Sequence, residues 1–246
     1  MKPILLHIPH SSPHIPLYDG FVIGNEATKN EINLITDWFT DELFDLPFPK
    51  IVTPFSRVFC DVERFEDDSL EVMSQYGMGM CYTNMDSGEL MRDVSPDLRA
   101  RIKSEFYIPH HRALESLTTE LLQKLGHVTV IDCHSFPEIP LTRDLNQDMP
   151  RPDFCLGIDE YHTPVDMYLP VQELLTNIGY TVLINNPYSG TMIPMKYYQK
   201  NPNVRGLMIE VNRKLYMEVE NGEILKTTGF DRIRNTIKEA LNLISH

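Results

Sequence analysis

Apolar positions along the chain follow two periods, and the elements they predict alternate. Ile4–Ile8 is apolar except at His7 and reads as a strand stopped by Pro9. Residues 25–46 carry Ile32, Ile35, Phe39, Leu43 and Leu46 at three- and four-residue steps, which predicts one helix. Short strands follow at 50–53 and 57–62, separated by Pro54. Periodicity then fades over residues 66–94, an excursion rich in Gly, Met and acids, of a length that tends to serve function or motion. Ser95 as N-cap, with Pro96 after it, starts a helix to about residue 107. A second helix spans 109–126, with Leu114, Leu117, Leu121, Leu122 and Leu125 on its apolar face. Residues 127–133 make the clearest strand; others fall at 153–158, 180–184 and 206–211. Helices are expected at 163–178, closed by Gly179, and at 230–244.

Strands joined through helices of this length imply a largely parallel sheet covered on both faces. The expected architecture is an α/β fold, a three-layer αβα sandwich around a mostly parallel mixed sheet, in one domain over residues 1–246. Neither repeats nor linker-like runs divide it.

Composition narrows the function. The chain has 246 residues, 42% of them hydrophobic and 23% charged, enough to bury a sizeable core. A net charge of −13 repels a phosphate backbone, so nucleic acid is not an expected partner. An anionic small molecule would need local arginines against that background. The four cysteines show no paired spacing and read as buried free thiols in a reducing compartment, the cytoplasm. No apolar run reaches the roughly 18–20 residues of a membrane helix, and residues 1–6 lack a signal-peptide core.

Candidate chemistry collects at strand ends. His10, Asp61, His134, Asn186 and Glu210 all fall at or just beyond the end of an expected strand, where open α/β sheets bind ligands. His10 and His134 are candidate metal ligands, since two imidazoles and a carboxylate leave a fourth position for water. Asp132 is placed to orient a ligand, and His7 and His14 read as structural neighbours. The third ligand is open among Asp37, Asp41, Asp61 and Glu63. Glu210, within apolar Leu207–Val211, is either a paired carboxylate or a base with a raised pKa. Arg57, Arg64 and Arg213 sit near these ends and suit carboxylate binding. The polar loop 185–191 either closes over a small ligand or is only a turn. GxSxG, GxxxxGK[ST], HExxH and GxGxxG are absent, which speaks against serine hydrolases and nucleotide enzymes.

The pieces His10-Ser11-Ser12-Pro13-His14-Ile15-Pro16, Thr36-Asp37-Trp38, Ser56-Arg57 to Arg64, Asp132-Cys133-His134-Ser135, Pro152-Asp153, Asn185 to Thr191 and Ile209-Glu210-Val211 occur in this order. Together they resemble the N-formylglutamate amidohydrolase family. The resemblance implies a zinc carboxypeptidase-like fold and hydrolysis of N-formyl-L-glutamate to formate and L-glutamate, a step of histidine degradation. It implies zinc or another divalent metal held by His10, His134 and Asp37, with Asp61 the alternative, and Glu210 as general base. Arg57 and Arg64 would hold the substrate carboxylates, with Asn186, Tyr188 and Gly190 lining the pocket. His111 also matches a family histidine. Two positions depart: Glu63 stands where the family's Asp-x-Asn-Arg has Asn, and Phe39 where a histidine follows Asp-Trp. A carboxylate at 63 beside an anion-binding arginine favours another N-acyl amino acid or a short peptide. The rival from another class is a non-catalytic metal-binding protein on this fold.

Overall fold

All five residues of β1 (Ile4–Ile8) are buried, as in a strand covered on both faces. In the computed structural model, which describes residues 2–244, this strand belongs to a six-stranded sheet. Met1, Ser245 and His246, part of the expected 1–246 domain, lie outside the described residues. The other strands are β2 (Lys50–Val52), β3 (Val128–Phe136), β4 (Phe154–Gly157), β5 (Val182–Ile184) and β6 (Val204–Asn212). Their order is β2-β1-β3-β6-β4-β5, and every neighbouring pair is parallel except β4 with β6. The expected mostly parallel mixed sheet is present.

Alternation along the strands sorts the two faces. Ile4, Leu6, Ile8, Ile131, Cys133, Leu207, Ile209 and Val211 join one core with residues of α2 (Thr40–Leu43), α5 (Val165–Asn177) and α6 (Phe230–Leu243). On the other face Leu5, Val128 and Val130 pack against Leu114 and Leu121 of α4 (Ile108–Leu125). Each fully buried Leu or Ile contributes about 1.5–3 kcal/mol. Further along that second face the same alternation presents His7, Asp132, His134 and Glu210, all buried. One face is thus apolar at the N-terminal ends of its strands and chemically loaded at the C-terminal ends.

A second core closes over the loaded end. It joins Ile32 and Ile35 of α1 (Asn25–Ile35), Ile102 of α3 (Pro96–Ile102), and Phe55, Val58, Phe59, Val62, Met80 and Tyr82 from the intervening chain. Residues 66–94 are therefore built into the body, with one helical turn at Val72–Tyr76 and isolated bridges such as Met78 to Tyr82.

Several expected elements change. The helix over 25–46 ends at Ile35: Thr36 is extended, Asp37 N–H donates to His10 O at 3.0 Å, and Phe39 adopts a left-handed φ of 63°. The break turns Asp37 inward. Residues 57–62 form no strand; Phe59 and Cys60 N–H donate back to Ser56 O, and their side chains fill the second core. The two helices over 96–126 run on through a π-helical turn at Lys103–Tyr107, whose altered spacing accommodates Pro109. The Ser95 cap is as expected, its side chain accepting from Leu98 N–H at 3.2 Å. Beyond β6 a hairpin of β7 (Met217–Glu220) and β8 (Glu223–Lys226) turns at Asn221-Gly222, both with positive φ.

Candidate active site

The chain leaves β1 at Pro9 and buries His10 at the loaded end of the sheet. His10 Nε2 lies 2.9 Å from Asp61 Oδ1, while its Nδ1 has no hydrogen bond. The His134 ring lies 5.1 Å away, centroid to centroid. His134 Nδ1 donates to Asp37 Oδ2 at 3.1 Å, and its Nε2 has no hydrogen bond. Each imidazole is thus held from behind by a carboxylate and turns one bare nitrogen toward the other.

Glu63 occupies the space those nitrogens face. Its Oε2 lies 3.1 Å from His134 Nε2 and 3.8 Å from His10 Nδ1. Ligand atoms of His10, Glu63 and His134 all fall within 4.8 Å of one another. Asp37 reaches His10 Nδ1 equally closely, 3.8 Å, but its oxygens are engaged elsewhere. Oδ1 accepts from Arg213 Nη2 at 3.0 Å, and Oδ2 from Ser135 N–H and from His134 on the side away from the bare nitrogen. Asp61 is occupied too, accepting from His10, Glu63 N–H, Arg57 and the Tyr82 hydroxyl.

Glu210 pairs in register with His134 across β3 and β6, 7% exposed, with Oε2 lacking a hydrogen bond. Burial pushes its carboxyl up to about 8; His134, Arg57 and Arg213 oppose the push and the Asp37 charge adds to it. Burial acts the same way on Asp37, Asp61 and Glu63, yet nearby imidazoles, with arginines at the two aspartates, hold all three well below the usual carboxylate range. Among these buried acids Glu210 alone is raised, so at neutral pH it can carry a proton while the others carry charge.

Of the expected substrate residues, Arg57 donates to Asp61 Oδ2 at 3.1 Å and lies 3.6 Å from Asp37. Arg64 lies 3.6 Å from Asp61, and its Nε has no hydrogen bond. Asn186 does not join the centre: β5 runs antiparallel to β6, so its end points to the other edge, and Asn186 Oδ1 accepts from Asn146. The loop then recrosses the sheet face, where a Cβ on Gly157 would fall 2.2 Å from Gly190 O. Tyr188 packs on Phe136 and bonds Arg151 and Asp144, and Met192 N–H reaches Asp132 Oδ2 at 2.9 Å. His7 and His110, given no functional part by the sequence, meet through their Nε2 atoms at 2.9 Å beside this centre. His111 bears a ring nitrogen without a hydrogen bond and packs on Tyr107. A surface cavity of about 660 Å³, lined by Phe55, Phe106 and Pro109, shares only His110 with this set.

A buried imidazole–carboxylate cluster at the strand ends of a mostly parallel sheet has a donor set that could hold a metal ion, and comparisons place the chain among the amidohydrolases. The sequence model of the N-formylglutamate amidohydrolase family matches residues 2–217, and the chain belongs to that family. It is 24% identical to an N-formylglutamate deformylase of Pseudomonas aeruginosa, over 97% of this chain and 91% of that one. In fold it is similar to the N-formylglutamate amidohydrolase of Ralstonia eutropha JMP134, with a TM-score of 0.82 at 24% identity over 99% and 92% of the two chains. A gene product of Agrobacterium tumefaciens is similar at a TM-score of 0.67 and 17% identity, over 98% and 88%. No helix among the described residues is long and apolar enough to cross a membrane.

Proposed function

We propose that the chain is a zinc-dependent amidohydrolase that cleaves N-formyl-L-glutamate to formate and L-glutamate. The observation that carries this reading is the convergence of bare His10 Nδ1 and His134 Nε2 on Glu63, with the raised Glu210 beside them. Orphaned buried imidazole nitrogens are costly unless a proton or metal engages them, so the donor set fits a divalent ion. His10, His134 and Glu63 would hold it, with Asp61 and Asp37 orienting the two rings from behind. Glu63 replaces Asp37 as the proposed third ligand because Asp37 is already bonded on both oxygens. When bound, zinc supplies a Lewis acid for the formyl carbonyl and lowers the pKa of water to about 7.

The side chains do the rest. Glu210 in its carboxylate form takes a proton from the attacking water. Water oxygen adds to the formyl carbon, the C–N bond breaks, and Glu210 returns the proton to the departing amine. Arg64 is the better placed of the two expected arginines to take a substrate carboxylate: its contacts to Asp61 and Glu71 are long, 3.6 and 3.9 Å, whereas Arg57 hydrogen-bonds Asp61 and Tyr82. Tyr188 and Gly190, on the loop that recrosses the sheet, line the same face. Glu63 aims at imidazoles, which weakens its case against an anionic substrate. Four buried unpaired thiols support a reducing compartment, the cytoplasm, and the substrate would place the enzyme in histidine degradation.

The test is formate release from N-formyl-L-glutamate by protein with measured zinc content, alongside other N-acyl amino acids and short peptides. Best turnover on N-formylglutamate is expected. Preference for another acyl group would reassign the substrate, and inactivity of zinc-loaded protein on the whole panel would sink the enzymatic reading.

A further inference from the structure

Glu63 faces two ways. Oε2 approaches His134 and His10, whereas Oε1 lies 3.4 Å from His7 Nδ1. His7 is fully buried and stands in register with Asp132 on the neighbouring parallel strand, Nδ1 to Oδ1 2.8 Å. Ligand atoms of His7, Glu63 and Asp132 therefore all lie within 4.8 Å of one another, as those of His10, Glu63 and His134 do. The two sets share one carboxylate, and each set meets a different oxygen of it.

Surrounding contacts match those that fix a ligating imidazole. His7 Nε2 is pinned at 2.9 Å by His110 Nε2, and His110 Nδ1 lies 3.3 Å from Thr53 Oγ1. Asp132 Oδ2 accepts from Met192 N–H, which turns Oδ1 toward His7. His7 Nδ1 faces two carboxylate oxygens, Asp132 Oδ1 at 2.8 Å and Glu63 Oε1 at 3.4 Å; a proton on Nδ1 satisfies the first contact, and a divalent cation that displaces this proton would engage all three side chains. Glu63 Oε1, the oxygen not used toward His10 and His134, faces this set without a hydrogen bond.

Metal–ligand bonds of about 2.0–2.2 Å set tetrahedral ligand atoms roughly 3.3 Å apart. The 3.4 Å between His7 and Glu63 already fits, and the 2.8 Å between His7 and Asp132 needs to open by only about half an ångström. Paired divalent ions about 3.5–4 Å apart, bridged by shared ligands, are a general hydrolytic device.

We propose that His7, Asp132 and Glu63 bind a second divalent cation, with Glu63 bridging it to the ion at His10 and His134. The proposal rests on the metal reading given above, and its test separates the two. Chelator-stripped protein is titrated with Zn²⁺ by calorimetry and its metal content is measured after gel filtration. Wild type takes up two equivalents; His7→Gln and Asp132→Asn each take up one, and the retained ion shows that either variant is folded. Mn²⁺-loaded wild type gives the spin-coupled EPR spectrum of a bridged pair, and each variant gives that of an isolated ion. One equivalent in wild type overturns the second site and leaves the first standing. No uptake overturns both, and two equivalents in the variants overturn the role given to His7 and Asp132.

Discussion

His134 on β3 and Glu210 on β6 are register partners in adjacent parallel strands, so sheet pairing itself sets the proposed base beside the proposed metal ligand. No loop closure is needed to bring them together. The relationship predicts that changing Glu210 leaves the metal in place. Glu210→Gln should lower kcat by about 10²–10⁴-fold, with zinc content and KM near wild type. Steady-state kinetics with metal analysis checks this, and parallel loss of zinc would make Glu210 a ligand.

Stability of the metal-free protein should fall as pH rises from about 4.5 to about 8. The Glu210 carboxyl is raised from 4.5 to about 8 on folding, so the native state holds a proton across that window that the unfolded chain has released. Its contribution is complete below the unfolded pKa and is lost as pH climbs through the folded one. Urea denaturation of chelated wild type and Glu210→Gln at pH 5 and pH 8 measures it. The variant should lose this part of the slope, and an unchanged slope would assign the linkage to other groups.

Asp37 and Glu63 separate by their effect on the metal. Asp37→Asn keeps the ligand set and should weaken zinc by about 10–100-fold, the range for a group that orients a ligand. Glu63→Gln removes a ligand and should weaken it further. Competition titration against a chromophoric chelator ranks the two, and the reverse order would restore Asp37 as the third ligand.

Arg64→Ala should raise KM for N-formylglutamate while changing kcat little. Losing a charge-assisted hydrogen bond of about 1.5–3 kcal/mol corresponds to roughly 10–100-fold in kcat/KM. Arg64→Lys should recover part of it. A fall in kcat at constant KM would move Arg64 from substrate binding to the reacting centre.

Much of the frame was legible along the chain. The apolar strands, Leu-rich α4 and amphipathic α6 follow from periodicity, which local spacing carries. His10, His134 and Glu210 could be suspected because each is polar within or just past an apolar run. Asn186 resembled them in sequence and differs in space, because the direction of β5 depends on pairing with a distant strand. Asp37 looked helical, and the break that turns it inward depends on a hydrogen bond to His10, which lies outside the helix.

Glu63 is the clearest division between the two levels. Sequence alone determined that an acid stands there, two residues from Asp61, at the end of a segment that reads as a strand. Whether its charge meets arginines or imidazoles depends on how the 55–65 segment folds over the sheet, since electrostatic partners are set by distance through space. Residues 7 and 10 lie in and just past β1 and residues 132 and 134 in β3, far apart in the chain, and parallel pairing of β1 with β3 places their ring nitrogens and carboxylates around one side chain.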